Sequence, residues 1–171
     1  MINYIDIAMS TGKKYTEISG VRGKVKIFDE DLSNKFDKSA REVIKRLFGD
    51  LVCDNPDIYG EDMIVKCKEV PYKYFELQVC GDWDKKFPYK YPFIYARKMR
   101  FSKKTLFITF NKDYSKLMIY DRKAIDDKPT RLIKYSRELV NLVGWGKVMM
   151  IDTDDFSIES IKSYIGADDE Q

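Results

Sequence analysis

The residues best placed to do chemistry are Asp62, Glu76 and Gln78. In the run Tyr74-Phe-Glu76-Leu-Gln78-Val-Cys80, Phe75, Leu77 and Val79 alternate with Tyr74, Glu76, Gln78 and Cys80. A strand rises about 3.3 Å per residue and turns successive side chains to opposite faces. Glu76 and Gln78 therefore share one face, roughly 6.5 Å apart, while the apolar set meets the core. Asp62 opens an earlier run, Asp62-Met-Ile-Val-Lys-Cys-Lys68, and a break at Glu69-Val-Pro71-Tyr-Lys separates the two. Both runs are rich in strand formers. If they pair, the Asp62 carboxylate comes near that of Glu76. Two carboxylates close together on a buried sheet are costly unless something neutralises them. A divalent cation does so, and hard oxygen ligands suit Mg2+. The competing expectation is that Glu76 and Gln78 face solvent on an edge strand.

Asp62 followed by Glu76-Leu-Gln78 resembles the PD-(D/E)XK nuclease signature, in which an Asp precedes a Glu-X-Lys on the next strand. The resemblance implies a metal-dependent nuclease that hydrolyses phosphodiester bonds. Asp62, Glu76 and the backbone carbonyl of Leu77 would hold Mg2+ (or Mn2+). The chain departs from the signature in carrying Gln78 where Lys is usual. A glutamine can orient water by hydrogen bonding but can neither take its proton nor add positive charge. In some relatives a basic residue after the third strand enters the site, which points to Lys98 or Arg97. The implied catalytic set is Asp62, Glu76, Gln78 and Lys98. Asn55-Pro56-Asp57 supplies a literal Pro-Asp, but Asp57 precedes the strand and is the second choice to Asp62. The alternative is a nuclease fold that no longer cuts and serves as a nucleic-acid-binding or structural subunit of a larger assembly, such as a viral one.

Net charge is only +3, yet its distribution is uneven. Lys85, Lys86, Lys90, Arg97, Lys98, Arg100, Lys103 and Lys104 occur with no acidic residue among them. Trp83, Phe87, Tyr89 and Tyr91 are interleaved with the first of these. Lysines neutralise phosphates and aromatics stack on bases, so Lys85, Lys86, Lys90, Arg97, Arg100, Lys103 and Lys104 are the expected nucleic-acid contacts. DNA is expected ahead of RNA, and a homodimer is left open. The competing expectation is that Trp83 and Phe87 anchor a long loop to the core.

These side chains need a scaffold. A chain of 171 residues fits one domain with a real core. It contains no histidine. That removes Ser-His-Asp triads, HEXXH zinc sites and other His-based hydrolysis. Cys53, Cys67 and Cys80 are an odd number without a CxxC pair, which fits a reducing compartment and argues against structural zinc. No apolar run reaches the roughly 20 residues of a membrane span, and the start does not read as a signal peptide. An intracellular location, cytoplasm or nucleus, is expected. Abundant Lys, Ile, Tyr and Asp fit an AT-rich genome, such as that of a large DNA virus or a parasite.

Residues 38–49 read as an amphipathic helix. Ser39-Ala-Arg-Glu42 suits a capping box, Val43, Ile44, Leu47 and Phe48 form the apolar stripe, and Gly49 ends it. Arg41, Lys45 and Arg46 fall on the solvated side. Phe93–Phe101 reads as extended, and Thr105–Phe110 with Leu117–Tyr120 as a hairpin. Arg131–Val143 is helical or extended, and Lys147–Ile151 reads as a buried strand. A last helix carries Ile158, Ile161 and Ile165 and stops at Gly166. The fold class expected is α/β (α+β): a mixed central sheet flanked by helices, restriction-endonuclease-like. A single domain spans 1–171, with a β-rich N-terminal extension over 1–37 and a nuclease-like core over 38–166.

Overall fold

The computed structural model describes residues 15–17, 24–26, 38–131 and 139–169. Strands β1 (Tyr15–Glu17) and β2 (Lys24–Lys26) form an antiparallel pair. The remainder of the expected N-terminal extension lies outside the described residues, as do Leu132 and Ile133.

Helix α1 runs from Lys38 to Phe48 and buries Ala40, Ile44 and Phe48, as its apolar spacing requires. It starts one residue before Ser39, so Ser39 sits inside the first turn and not at the cap position expected for it. Gly49 follows with φ +55, the left-handed conformation that ends helices and that glycine adopts without penalty. A Cβ at Gly49 would meet nothing within 4 Å, so only backbone strain opposes substitution. Gly49→Ala is therefore expected to cost about 1 kcal/mol in urea unfolding, and Gly49→Asn less.

The main sheet uses β3 (Val52–Asp54), β4 (Met63–Val65), β5 (Tyr74–Val79), β7 (Thr105–Phe110), β8 (Lys116–Tyr120) and β11 (Met149–Asp152). Their order is β11-β8-β7-β5-β4-β3. Neighbours are antiparallel except β5 and β7, which run parallel with Glu76 beside Phe107 and Gln78 beside Thr109. A parallel pair needs a crossover. Here residues 80–104 supply it, including β6 (Phe93–Tyr95) and a 3-10 turn over Ala96–Arg100. The expected extended run to Phe101 thus ends at Tyr95. β6 joins β10 (Leu139–Leu142) and β9 (Thr130–Arg131) in a separate three-stranded sheet.

Alternation sorts the central side chains into two layers. Phe75, Leu77, Leu106, Ile108, Leu117 and Ile119 pack under α1 and the last helix, α2 (Ile158–Asp169). Phe107, Met118 and Tyr120 pack beneath the crossover, with Trp83, Ile94 and Phe101. Buried on both sides, β7 is enclosed at all six positions. Two expectations for the C-terminal part change. β11 is an edge strand whose Met150 is 48% exposed, because only β8 pairs with it. Gly166 lies within α2, which continues to Asp169. No helix among the described residues is long and apolar enough to cross a membrane.

Candidate active site

Asp62 and Glu76 converge. Met63 pairs with Phe75, so continuing the antiparallel register by one residue sets Asp62 opposite Glu76, on the same face. Two hydrogen bonds join Asp62 to the Glu76–Leu77 segment. The Asp62 backbone N–H donates to Glu76 Oε1 at 3.2 Å, and the Leu77 N–H donates to Asp62 Oδ2 at 2.8 Å. A strand residue directs its N–H and C=O to the same side. The Leu77 carbonyl therefore lies on the edge that faces Asp62.

Glu76 is buried, and β5 is an inner strand, so the edge-strand expectation is set aside. Its charge is met by Lys98, whose Nζ stands 2.9 Å from Glu76 Oε2. That pair is well enclosed, with side-chain exposures of 13% for Lys98 and 7% for Glu76. Lys98 lies in the 3-10 turn over Ala96–Arg100. Arg97, the alternative to Lys98, instead lays its guanidinium over the Tyr95 ring at 4.4 Å.

Gln78 shares the face of Glu76 but is turned inward. Its Nε2 donates to Thr109 Oγ1 at 2.8 Å, with the Phe93 carbonyl at 3.2 Å and Tyr120 Oη at 3.3 Å. Burial holds the Tyr120 phenol far above its usual pKa, against the Thr109 hydrogen bond and with Glu76 adding to the rise. Tyr120 thus stays protonated, and Gln78 ties the crossover to the sheet. Its amide nitrogen is committed to that task and does not face the carboxylates.

Two arginines reach this region. Arg41, expected on the solvated side of α1, has its guanidinium 3.8 Å from Asp62 Oδ1 and 3.7 Å from Asp54 Oδ1. Helical periodicity places Arg41 beside the apolar stripe but is silent on which strand end lies within its reach. Arg100 donates to the Tyr59 carbonyl and stacks on Phe101. Partial burial lowers its guanidinium pKa, and the carboxylates of Glu76, Glu61 and Asp57 oppose that shift. Asp57, second choice to Asp62, accepts the Tyr59 N–H at 3.0 Å within its own turn.

The basic run is divided by the fold. Lys104 holds the start of β5 through its carbonyl, which accepts from Lys73 and Tyr74. Lys85 and Lys86 follow Asp84, whose carbonyl bonds Asn111 just past the other end of β7. Lys103 and Lys104 are thus separated from Lys85 and Lys86 by the length of β5, about 20 Å. Lys85, Lys86, Lys90, Lys103 and Lys104 are all exposed. Trp83 is fully buried and packs edge-on against Phe87, so neither the ring nor its faces are available to a base.

The chain carries three thiols, Cys53, Cys67 and Cys80. All three are free, and burial pushes Cys80 up to about 11, which keeps it protonated at neutral pH. Among the described residues no group of three or more His, Cys, Asp or Glu side chains is arranged to hold a metal ion. A cation at Asp62 and Glu76 would need the Leu77 carbonyl and water to complete its shell. A carboxylate offers about four acceptor positions. Glu76 gives one to the Asp62 N–H and one to Lys98. No family model, curated protein or solved structure matches the chain.

Proposed function

We propose that the chain is a metal-dependent nuclease of the PD-(D/E)XK kind, with Asp62, Glu76 and Lys98 as its working residues. The observation that supports this most is the Lys98–Glu76 contact of 2.9 Å. It sets an ammonium beside the Asp62–Glu76 pair although position 78 carries no lysine. The mixed sheet, with helix α1 leading into three antiparallel strands and a crossover to a parallel fourth, is consistent with a restriction-endonuclease-like fold.

Hard oxygen donors suit Mg2+ or Mn2+, and Asp62, Glu76 and the Leu77 carbonyl would hold the ion. Bound there, it would supply a water of lowered pKa and charge stabilisation at a phosphodiester. The protein's own contribution is positioning. Lys98 fixes the Glu76 carboxylate, and the Leu77 N–H fixes that of Asp62. The Lys98 ammonium has three donor positions. With one spent on Glu76, the others can orient water or a phosphate oxygen. Arg41 adds positive charge on the Asp62 side.

The test is incubation with plasmid and with single-stranded DNA and RNA, in Mg2+ or Mn2+ and then in EDTA. Cleavage that EDTA stops is the expected result. No cleavage of any of these substrates would remove the enzymatic reading. A second reading has its own observation: the Gln78 amide nitrogen is spent on Phe93, Thr109 and Tyr120. On that reading the carboxylate–cation cluster is structural and the protein binds nucleic acid without cutting it. Salt-sensitive retention of oligonucleotides without cleavage would decide for it.

A further inference from the structure

We infer that the turn carrying Ile58 and Tyr59 is a base-contacting element of the same site, and that its ligand is nucleic acid with unpaired bases. This rests on the nucleic-acid reading above and narrows its substrate class.

The turn bridges β3 and β4 and leads directly into Asp62. It is tightly built. The Asn55 N–H donates to the Asp62 carbonyl at 3.0 Å and closes the neck. Inside, Asn55 Oδ1 accepts from Asp57, Asp57 Oδ1 accepts from Tyr59, and the Gly60 N–H donates to the Asp57 carbonyl. Gly60 packs closely here: a Cβ would meet Asn55 Nδ2 at 2.9 Å, so the Asn55 side chain would have to shift. So much local order serves a tip that stays out of the core. Ile58 is 57% exposed, the highest value among the large hydrophobic residues described, and Tyr59 is 37% exposed. Folding gains little from apolar surface left in water.

The tip is fastened to the cationic segment. Arg100 donates to the Tyr59 carbonyl, and Glu61 Oε1 accepts the Ser102 N–H at 3.0 Å. Lys103 and Lys104 follow. Of the turn's own acids, Glu61 is buried, while Asp57 is exposed and its carboxylate accepts the Tyr59 N–H and faces the charge of Arg100. Four residues of chain span at most about 14 Å, so Ile58 cannot be farther than that from Asp62. An exposed β-branched and aromatic pair beside Arg100 and two lysines fits a polyanion that also offers flat apolar faces. Cations take phosphates, while Ile58 and Tyr59 wedge against or stack on bases. Base faces are open in single strands and at unpaired steps; in a duplex they are stacked on each other. The positive flank favours this ligand over an apolar groove on a protein.

The test measures binding in EDTA, so it does not depend on cleavage. The probes are a fluorescein-labelled single-stranded oligonucleotide, its duplex, and an abasic oligonucleotide of equal length. Wild-type protein should bind the single strand about tenfold or more tightly than the abasic strand, the scale of one stacked base. The Ile58→Ser/Tyr59→Ser variant should lose that preference while remaining folded and keeping the same affinity for the abasic strand. Tyr59→Phe should keep the preference. A double variant that still prefers the base-bearing strand would overturn the inference, as would equal wild-type affinity for duplex and single strand. In both cases the nuclease reading survives. Absence of wild-type binding to every probe would overturn the inference too, while the nuclease reading is decided separately by cleavage in Mg2+ or Mn2+.

Discussion

Lys98→Met should lower the unfolding free energy by about 3 kcal/mol and eliminate metal-dependent cleavage. Removing one partner of a buried ion pair strands the other charge, which typically costs about 3–5 kcal/mol. The pair is enclosed enough for this rule to hold, since neither side chain exceeds 13% exposure. The lower end applies because the Asp62 N–H still serves Glu76 Oε1 and Arg100 still acts on the Glu76 charge. A double-mutant cycle separates fold from function. Glu76→Gln in the Lys98→Met background leaves no isolated charge, so most of the lost stability should return. Cleavage should not return, because both the ligand and the ammonium are then gone. Urea unfolding and a plasmid assay on the four proteins suffice. A Lys98→Met protein as stable as wild type would mean that the ion pair does not form in solution.

Asp62→Asn should leave the fold nearly intact and reduce cleavage to background. The Asn side chain keeps an oxygen to accept the Leu77 N–H, so the hydrogen bond that aligns β4 with β5 persists. What disappears is the negative charge that would hold a cation and that Arg41 partly balances. Asp62→Ala also removes the acceptor; hydrogen bonds to charged groups contribute about 1.5–3 kcal/mol. Asp62 is 20% exposed, so water replaces part of that and the lower value is expected. The contrast between Asn and Ala isolates chemistry from structure. Cleavage retained by Asp62→Asn and by Glu76→Gln alike would show that these carboxylates are not the catalytic pair.

Parts of the structure follow from local pattern. Alternation in Tyr74–Val79 assigns Phe75 and Leu77 to one layer and Glu76 to the other, because a strand has a period of two. The hairpin of β7 and β8 and the apolar stripe of α1 are legible for the same kind of reason. Gly49 as helix terminus follows from the one residue type that takes positive φ freely.

Other features were decided only by tertiary structure. Cap position at α1 depends on where the chain enters, and Ser39 alone does not fix it. Lys147–Ile151 has the apolar composition of a buried strand, yet β11 is an edge; composition records burial tendency, and sheet order is set by long-range pairing. Lys98 reaches Glu76 from a 3-10 turn in the crossover, and Arg41 reaches Asp62 because α1 crosses the sheet at that strand end. The run from Lys85 to Lys104 is continuous as a string but is split across the length of β5. From the sequence alone came the two acids and the face that Glu76 shares with Gln78, because side-chain alternation is a property of the strand itself; that Asp62 lies opposite Glu76 is set by the pairing of β4 with β5. Which cations meet those acids was fixed by packing between elements far apart in the chain, where no local period operates.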